Sequence, residues 1–238
     1  MNTRIILRFV IRTELRSLGL TNPWKIWLAI QNFAKTVWDP TRSDIQHGIN
    51  ALVYEALANA PPDREAELAR ENPELAALFR DGYDPTLEPA RLETLPDGTL
   101  GREYARFIRT NQIDPLGNLL ALSRPKNLLE YQFWRAYKLH DVLHVVLGCD
   151  ATALGEVPIV AYSLGQARST GVRAPALALC VLLLHLALRR TDQFQSAVRL
   201  AAEWMRRGEQ CRGYATHRLE DWMDRPVAEV RARVLAPA

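Results

Sequence analysis

Leu139-His140-Asp141-Val142-Leu143-His144-Val145-Val146-Leu147-Gly148 is the stretch on which the reading of this chain turns. Two histidines four positions apart stand among aliphatic residues. On a helix turning ~100° per residue, His140 and His144 lie about 40° apart on one face. Asp141, about 100° round from His140, borders that face. Two imidazoles and a carboxylate therefore converge on one point. A lone helical histidine is ordinarily a hydrogen-bonded core residue, and His-Asp-x-x-His is by itself a modest signal. A pair with an adjoining acid inside an apolar helix says more, because burying three ionisable groups is costly unless a partner compensates them. One divalent cation is the most economical partner. Gly148 predicts a left-handed helix end, and Asp150 or Thr152 can open the next helix. An antiparallel return then carries Glu156 back beside the histidines. The expected ligand set is His140, Asp141, His144 and Glu156, held between two adjacent helices.

Working outward, residues 126–147 read as one long helix after the breaks at Asp114-Pro115 and Arg124-Pro125. Pro158 falls two residues after Glu156, where it crowds the carbonyl of Leu154 and has no N–H to donate to it. Either the helix kinks there or it begins near Pro158; both versions leave Glu156 near a helix start. Helices are expected over residues 175–190 and about 192–207, and Leu219-Glu220-Asp221-Trp222-Met223-Asp224-Arg225-Pro226 leads into a closing helix over 227–234. Upstream, residues 64–80 are charged and alanine-rich, restarting at Asn72-Pro73. Residues 81–101 are irregular, with the turn Pro96-Asp97-Gly98, and helix resumes at Gly101. Ser43-Asp44 opens a helix to about Ala60 that contains His47, before Pro61-Pro62 turns the chain. Asn22-Pro23 starts another through Trp24, Trp27, Ile30, Phe33 and Val37. No segment alternates as a strand would. The class is all-α, a single-domain bundle of many helices over residues 22–238, preceded at 1–21 by a basic amphipathic helix.

That first helix carries Arg4, Arg8, Arg12 and Arg16 at four-residue steps beside Ile5, Ile6, Phe9, Val10 and Leu15. Such a stripe suits an anionic membrane surface, a solvated face on a packed helix, or a mitochondrial transit peptide. The 238 residues carry a formal charge of only +3, so no bulk basic field points to nucleic acid. Lysine occurs only at Lys25, Lys35, Lys126 and Lys138. Cys149, Cys180 and Cys211 are odd in number and lack CxxC spacing, which argues for a reducing compartment and against a thiolate zinc site. The most apolar stretch, residues 174–188, contains Pro175 and His185 and falls short of the ~18 apolar residues of a membrane span. It reads as a buried core helix.

Two imidazoles with two carboxylates suit zinc, iron(II) or manganese better than magnesium. A zincin-type protease is disfavoured because Asp141 stands where that motif requires glutamate as general base. A His-Asp phosphohydrolase would need more ligands, and only His47, His185 and His217 remain as other histidines.

The pattern His140-Asp141-x-x-His144, eleven residues, then Glu156 resembles the hallmark of the ubiquinone (coenzyme Q) biosynthesis protein 4 family. Leu95-Pro96-Asp97-Gly98-Thr99-Leu100-Gly101-Arg102-Glu103-Tyr104-Ala105, completed by Phe107, is similar to that family's central LPxGTxGxxYAxF stretch. Trp204-x-x-x-Gly208 and Glu220-x-x-Met223-x-x-Pro226, with Trp222, resemble its closing elements. The likeness runs from about Trp24 to the end and leaves the arginine helix unmatched. Two departures bear on pocket shape: Val142-Leu143 stand where aromatics are frequent, and Pro158 is unusual so close to the glutamate. The resemblance implies an all-helical peripheral membrane protein with an apolar cavity. It would bind one divalent metal, zinc by resemblance, through His140, Asp141, His144 and Glu156. The implied activity is oxidative decarboxylation of a polyprenylated hydroxybenzoate-derived ring, carboxyl at carbon 1 giving way to hydroxyl, an enzyme of lyase or oxidoreductase type. The alternative is a non-catalytic lipid-binding scaffold with a structural metal. Implied partners are the polyprenylated aromatic substrate, the membrane surface, other ubiquinone-biosynthesis proteins and a second copy in a homodimer, with no nucleic acid. The implied location is the cytoplasmic face of a bacterial inner membrane, or the matrix side of the mitochondrial one. Arg135 and Lys138, within a turn of the site, are expected at the surface or offsetting substrate charge.

Overall fold

Proline punctuation sets the first described helices of the computed structural model. It describes residues 57–114, 124–166 and 174–238, with Gln31, Lys35, Trp38 and Tyr54. Pro62, Pro73 and Pro89 each open a helix at the position where a missing N–H costs nothing: α1 (Pro62–Glu71), α2 (Pro73–Arg80) and the single turn α3 (Pro89–Leu92). The chain continues as α4 (Leu100–Thr110), α5 (Leu128–Lys138), α6 (His140–Leu147), α7 (Ala153–Gln166), α8 (Ala174–Arg189), α9 (Thr191–Gln210) and α10 (Val227–Val234). Two 3-10 segments, Tyr214–Thr216 and Leu219–Trp222, join the last two helices. Among the described residues there is no strand, only the isolated bridges Thr99 to Pro226 and Cys211 to Pro237. The protein is an all-α single domain. The helices expected at residues 3–18 and 22–37 lie largely outside the described residues, as does His47.

The expected single helix over 126–147 is two. Asn127 caps α5 through a reciprocal box, its Oδ1 accepting from the Glu130 N–H at 2.8 Å while Glu130 Oε2 accepts from the Asn127 N–H at 3.1 Å. The break falls at Leu139, where ψ is 0°, although the Leu139 N–H still reaches Arg135 O and the Leu143 N–H reaches Leu139 O, both at 2.9 Å. The bend lets the two halves serve different neighbours. Helix α5 buries Leu128, Leu129 and Tyr131 on the side of α1 and α2, and Trp134 against Tyr54. Helix α6 sits inside a ring of α4, α5, α7 and α10. Leu139, Val142, Leu143 and Val146 are fully buried, each worth about 1.5–3 kcal/mol of transfer free energy.

Gly148 ends α6 at φ 75°, as its position predicts, and both it and Cys149 donate to His144 O, at 2.9 and 2.8 Å. Arg231 from α10 supplies a further cap, its Nε donating to Val146 O at 2.5 Å and its Nη2 to Val145 O at 3.3 Å. Thr152 opens α7, its Oγ1 accepting from the Gly155 N–H at 3.2 Å. The helix therefore starts at Ala153, with Pro158 inside it, and does not wait for the proline. Helices α7, α8 and α9 pack together as a second layer. There Gly165 and Gly208 let backbones touch: a Cβ on Gly208 would collide with the Tyr162 carbonyl, and one on Gly165 with that of Met205.

The two outlying motif segments meet each other. Leu100 N–H donates to Arg225 O and Gly101 N–H to Met223 O, both at 2.8 Å, while Val227 N–H donates to Gly98 O at 3.0 Å. A side chain at Gly101 would strike Leu92, Leu95 and the Met223 carbonyl. The turn at 95–101 and the segment 223–227 thus form one clasp that fixes α4 against α10 and the inner helix α6.

Candidate metal centre

Helix α6 presents His140 and His144 on the face that meets α7, and α7 presents Glu156 in its first turn. His140 Nε2 lies 3.2 Å from Glu156 Oε2, and His144 Nε2 lies 3.2 Å from Glu156 Oε1. The two Nε2 atoms are 3.4 Å apart. One carboxylate therefore spans two imidazoles. Ligand atoms of His140, Asp141 and His144 all fall within 4.8 Å of one another. His140, Asp141 and His144 form one close group, and Glu156 meets it through the two imidazoles, His144 with 1% of its side chain exposed, Glu156 with 25% and His140 with 36%. The centre is buried at the back and open at the front.

Burial alone would lower the His140 pKa, but the Glu156 carboxylate beside it, with Asp141 behind, raises it to about 9. Burial likewise works to raise Glu156, yet charge from and hydrogen bonding to both histidines hold it well below the usual carboxylate range. Asp141 goes the other way. Burial raises it, the two histidines recover only part, and Glu156 adds to the rise. Two carboxylates against two imidazoles leave Asp141 short of positive charge. A divalent cation at this point would meet two nitrogens and two carboxylates and supply what is missing, so the donor set fits the group.

Around this set stand residues that spacing did not place. The Phe107 ring stacks on His144, centroids 5.0 Å apart and planes at 21°. Tyr104 is buried, its phenol raised by burial and then by the Asp141 charge. Burial and the charges of Asp150 and Glu156 raise the Cys149 thiol to about 11; it stays protonated at neutral pH and outside the ligand group. His185 and His217 do not join the group either.

Arg135 and Lys138 occupy neither of the positions expected for them. Arg135 is fully buried, with Nη1 2.6 Å from Glu220 Oε1, Nε donating to Ala215 O at 2.9 Å and Nη2 to His217 O at 2.6 Å. Lys138 Nζ lies 2.7 Å from both Asp84 Oδ1 and Glu220 Oε1. The charges expected at a surface are neutralised by an acid some eighty residues downstream. They tie α5 to the segment Leu219–Trp222.

Fold and site together describe an all-helical protein with a candidate His-Asp-His metal group on one helix, faced by a glutamate from the next. A family model described as "Coenzyme Q (ubiquinone) biosynthesis protein Coq4" matches residues 83–236, and the chain belongs to that family. The match takes in the clasp, α6, Glu156 and the closing segment. Relatives named "Ubiquinone biosynthesis protein COQ4 homolog, mitochondrial" include the human protein, 29% identical over 135 residues, 56% of this chain and 49% of the relative. The Danio rerio protein is 30% identical over 128 residues, 52% and 47% of the two chains. The chain spans about half the length of these curated relatives. A crystal structure of a candidate ubiquinone biosynthesis protein from Nostoc punctiforme superposes with a TM-score of 0.67 at 24% identity, covering 88% of this chain and 95% of that one. It shares the fold. No described helix is long and apolar enough to cross a membrane.

Proposed function

We propose that this chain acts in ubiquinone biosynthesis as a metal-dependent enzyme on a polyprenylated hydroxybenzoate-derived ring, exchanging the carboxyl at ring carbon 1 for hydroxyl. The observation that carries this reading is the Glu156 carboxylate set 3.2 Å from the Nε2 of both His140 and His144, with Asp141 beside them. These four residues would hold the cation, zinc by family resemblance or iron or manganese. Such a cation supplies Lewis acidity toward a substrate carboxylate. In the overall change the aryl–carboxyl bond breaks, carbon dioxide leaves and an aryl–oxygen bond forms. The ring carbon gives up two electrons, which an oxidant such as dioxygen takes, and for that a redox metal suits better than zinc.

The protein's own groups then have separable tasks. His140, protonated at neutral pH in the metal-free site, must lose its proton before it can ligate. His144, buried behind it, fixes the inner wall with Phe107. The partly exposed face of His140 and Glu156 is the side from which a ring carboxylate approaches. An apolar cavity for the isoprenoid tail, along α8, belongs to the same proposal, as do peripheral attachment to the cytoplasmic face of a bacterial inner membrane (or the mitochondrial matrix side), a homodimer and contacts with other ubiquinone-biosynthesis proteins. The test is elemental analysis of the purified protein, then aerobic and anaerobic turnover of a short-chain carboxylated precursor. Wild-type protein with its metal should release carbon dioxide and form the hydroxylated ring. Undiminished turnover by His144→Ala ends the catalytic reading.

A second reading, a lipid-associated scaffold with a structural metal, draws support from the surface of α8 and α9. Leu188 is 66% exposed there, with Phe194 and Val198 also open and the Arg189 guanidinium 4.3 Å from the Trp38 ring centre. Under this reading His144→Ala lowers stability and partner binding, with no turnover to lose.

A further inference from the structure

We infer that Phe107 is the positioning residue of the metal centre, holding the His144 ring by stacking where a hydrogen-bond acceptor would ordinarily hold it. The inference rests on the reading of His140, Asp141, His144 and Glu156 as a metal site.

His144 carries both histidine-specific demands at once. Its Nε2 faces Glu156 and His140, and its Nδ1 is buried with no hydrogen-bond partner among the described residues. A metal-ligating histidine usually donates its second N–H to a carboxylate, a carbonyl or a water, which fixes the ring's rotation and tautomer. Among the described residues no protein group accepts from His144 Nδ1. A cation on Nε2 requires the neutral ring to carry its proton on Nδ1, an N–H buried without a protein acceptor there. Something else has to stop the ring turning about its Cβ–Cγ bond. The Phe107 ring does so, lying nearly parallel to the imidazole at 5.0 Å.

The rest of the fold delivers Phe107 to that place. The clasp between 95–101 and 223–227 anchors the start of α4. Tyr104, Ala105 and Ile108 bury the helix against the core, and α4 packs along α6. A motif whose glycines and threonine form the clasp therefore ends on a residue that stacks on His144. The stretch 95–107 bears on the His144 ring through Phe107, and on Asp141 through Tyr104.

The experiment compares zinc affinity, by chelator competition, in wild-type protein and in Phe107→Leu and Phe107→Tyr, with metal-free thermal melts as the control for folding. The leucine variant should bind zinc at least about tenfold more weakly, the lower end of what loss of an outer partner costs, and its cobalt-substituted absorption spectrum should change shape at saturating metal. The tyrosine variant, which keeps the ring, should match wild type in both. Equal affinity and an unchanged cobalt spectrum in Phe107→Leu overturn the inference while leaving the metal site standing. Absence of zinc binding by the wild type overturns both. Should Phe107→Leu not fold, nitrogen-15 spectra of the wild-type imidazoles decide: zinc should move the His144 proton to Nδ1, and coordination through Nδ1 refutes the geometry.

Discussion

Glu220→Gln tests whether the buried charge cluster beside the metal helix is a structural strut. In the native chain Glu220 receives Arg135 Nη1 at 2.6 Å, Arg135 Nη2 at 3.2 Å, Lys138 Nζ at 2.7 Å and the Tyr83 hydroxyl at 3.3 Å. Arg135 and Glu220 are 0% and 2% exposed, so water cannot replace what is lost. Removing one partner of a buried pair costs about 3–5 kcal/mol, because the remaining charge is left without its counter-ion. Lys138 keeps Asp84 at 2.7 Å and the Pro85 carbonyl at 3.0 Å, which places the expected loss near the lower bound, about 3 kcal/mol. For a domain of this size the melting temperature should fall by about 6–12 °C, read by circular dichroism at neutral pH. The effect should depend on pH. Burial alone would raise Glu220, but Arg135 and then Lys138 outweigh it and hold the carboxyl below its ordinary 4.5. A depressed folded pKa stabilises above the unfolded value and loses that stabilisation as pH falls through the folded one. The wild type should therefore shed this increment below about pH 4.5, and Glu220→Gln should lack that part of the slope. Arg135→Met should cost a similar amount, and the double substitution little more than either single one. A Glu220→Gln midpoint within about 2 °C of wild type would show that the cluster contributes no net stability.

Metal affinity should climb with pH, by up to about tenfold per unit as pH rises toward 9, because a cation must displace the proton that Glu156 and Asp141 stabilise on His140; zinc titrations from pH 6.5 upward read it, and a flat profile argues against His140 as a ligand. Gly208→Ala should destabilise by about 1–3 kcal/mol, since the new methyl meets the rigid Tyr162 backbone and not a mobile side chain; urea unfolding measures it. Arg231→Met uncaps the Val145 and Val146 carbonyls at the end of α6 and should cost about 1–2 kcal/mol. Hydrogen exchange should localise that loss to the end of α6, and uniform loosening of the whole chain would contradict a local cap.

What could be read from residues alone was whatever obeys a short-range rule. Four-residue spacing puts His140 and His144 on one face before any partner is known. Gly148 is an economical left-handed stop, and Thr152 with Asp150 a ready start, so the hairpin of α6 and α7 follows from backbone chemistry within twenty residues. The meeting of Glu156 with both imidazoles follows from that hairpin. Asn72-Pro73 marks a helix start for the same local reason, whereas the starts at Pro62 and Pro89 fall where the sequence was read as a turn and as irregular chain. Only the tertiary structure decided where Arg135 and Lys138 go, why the long helix bends at Leu139, and that Phe107 lies on His144. The charge pairs and the ring stack depend on partners tens of residues away, and the two halves of the bent helix pack on different neighbours; a charge, a leucine or a phenylalanine carries no periodic sign of which distant group it will meet. Local sterics write themselves into spacing; long-range electrostatics and packing are settled when the helices close around α6.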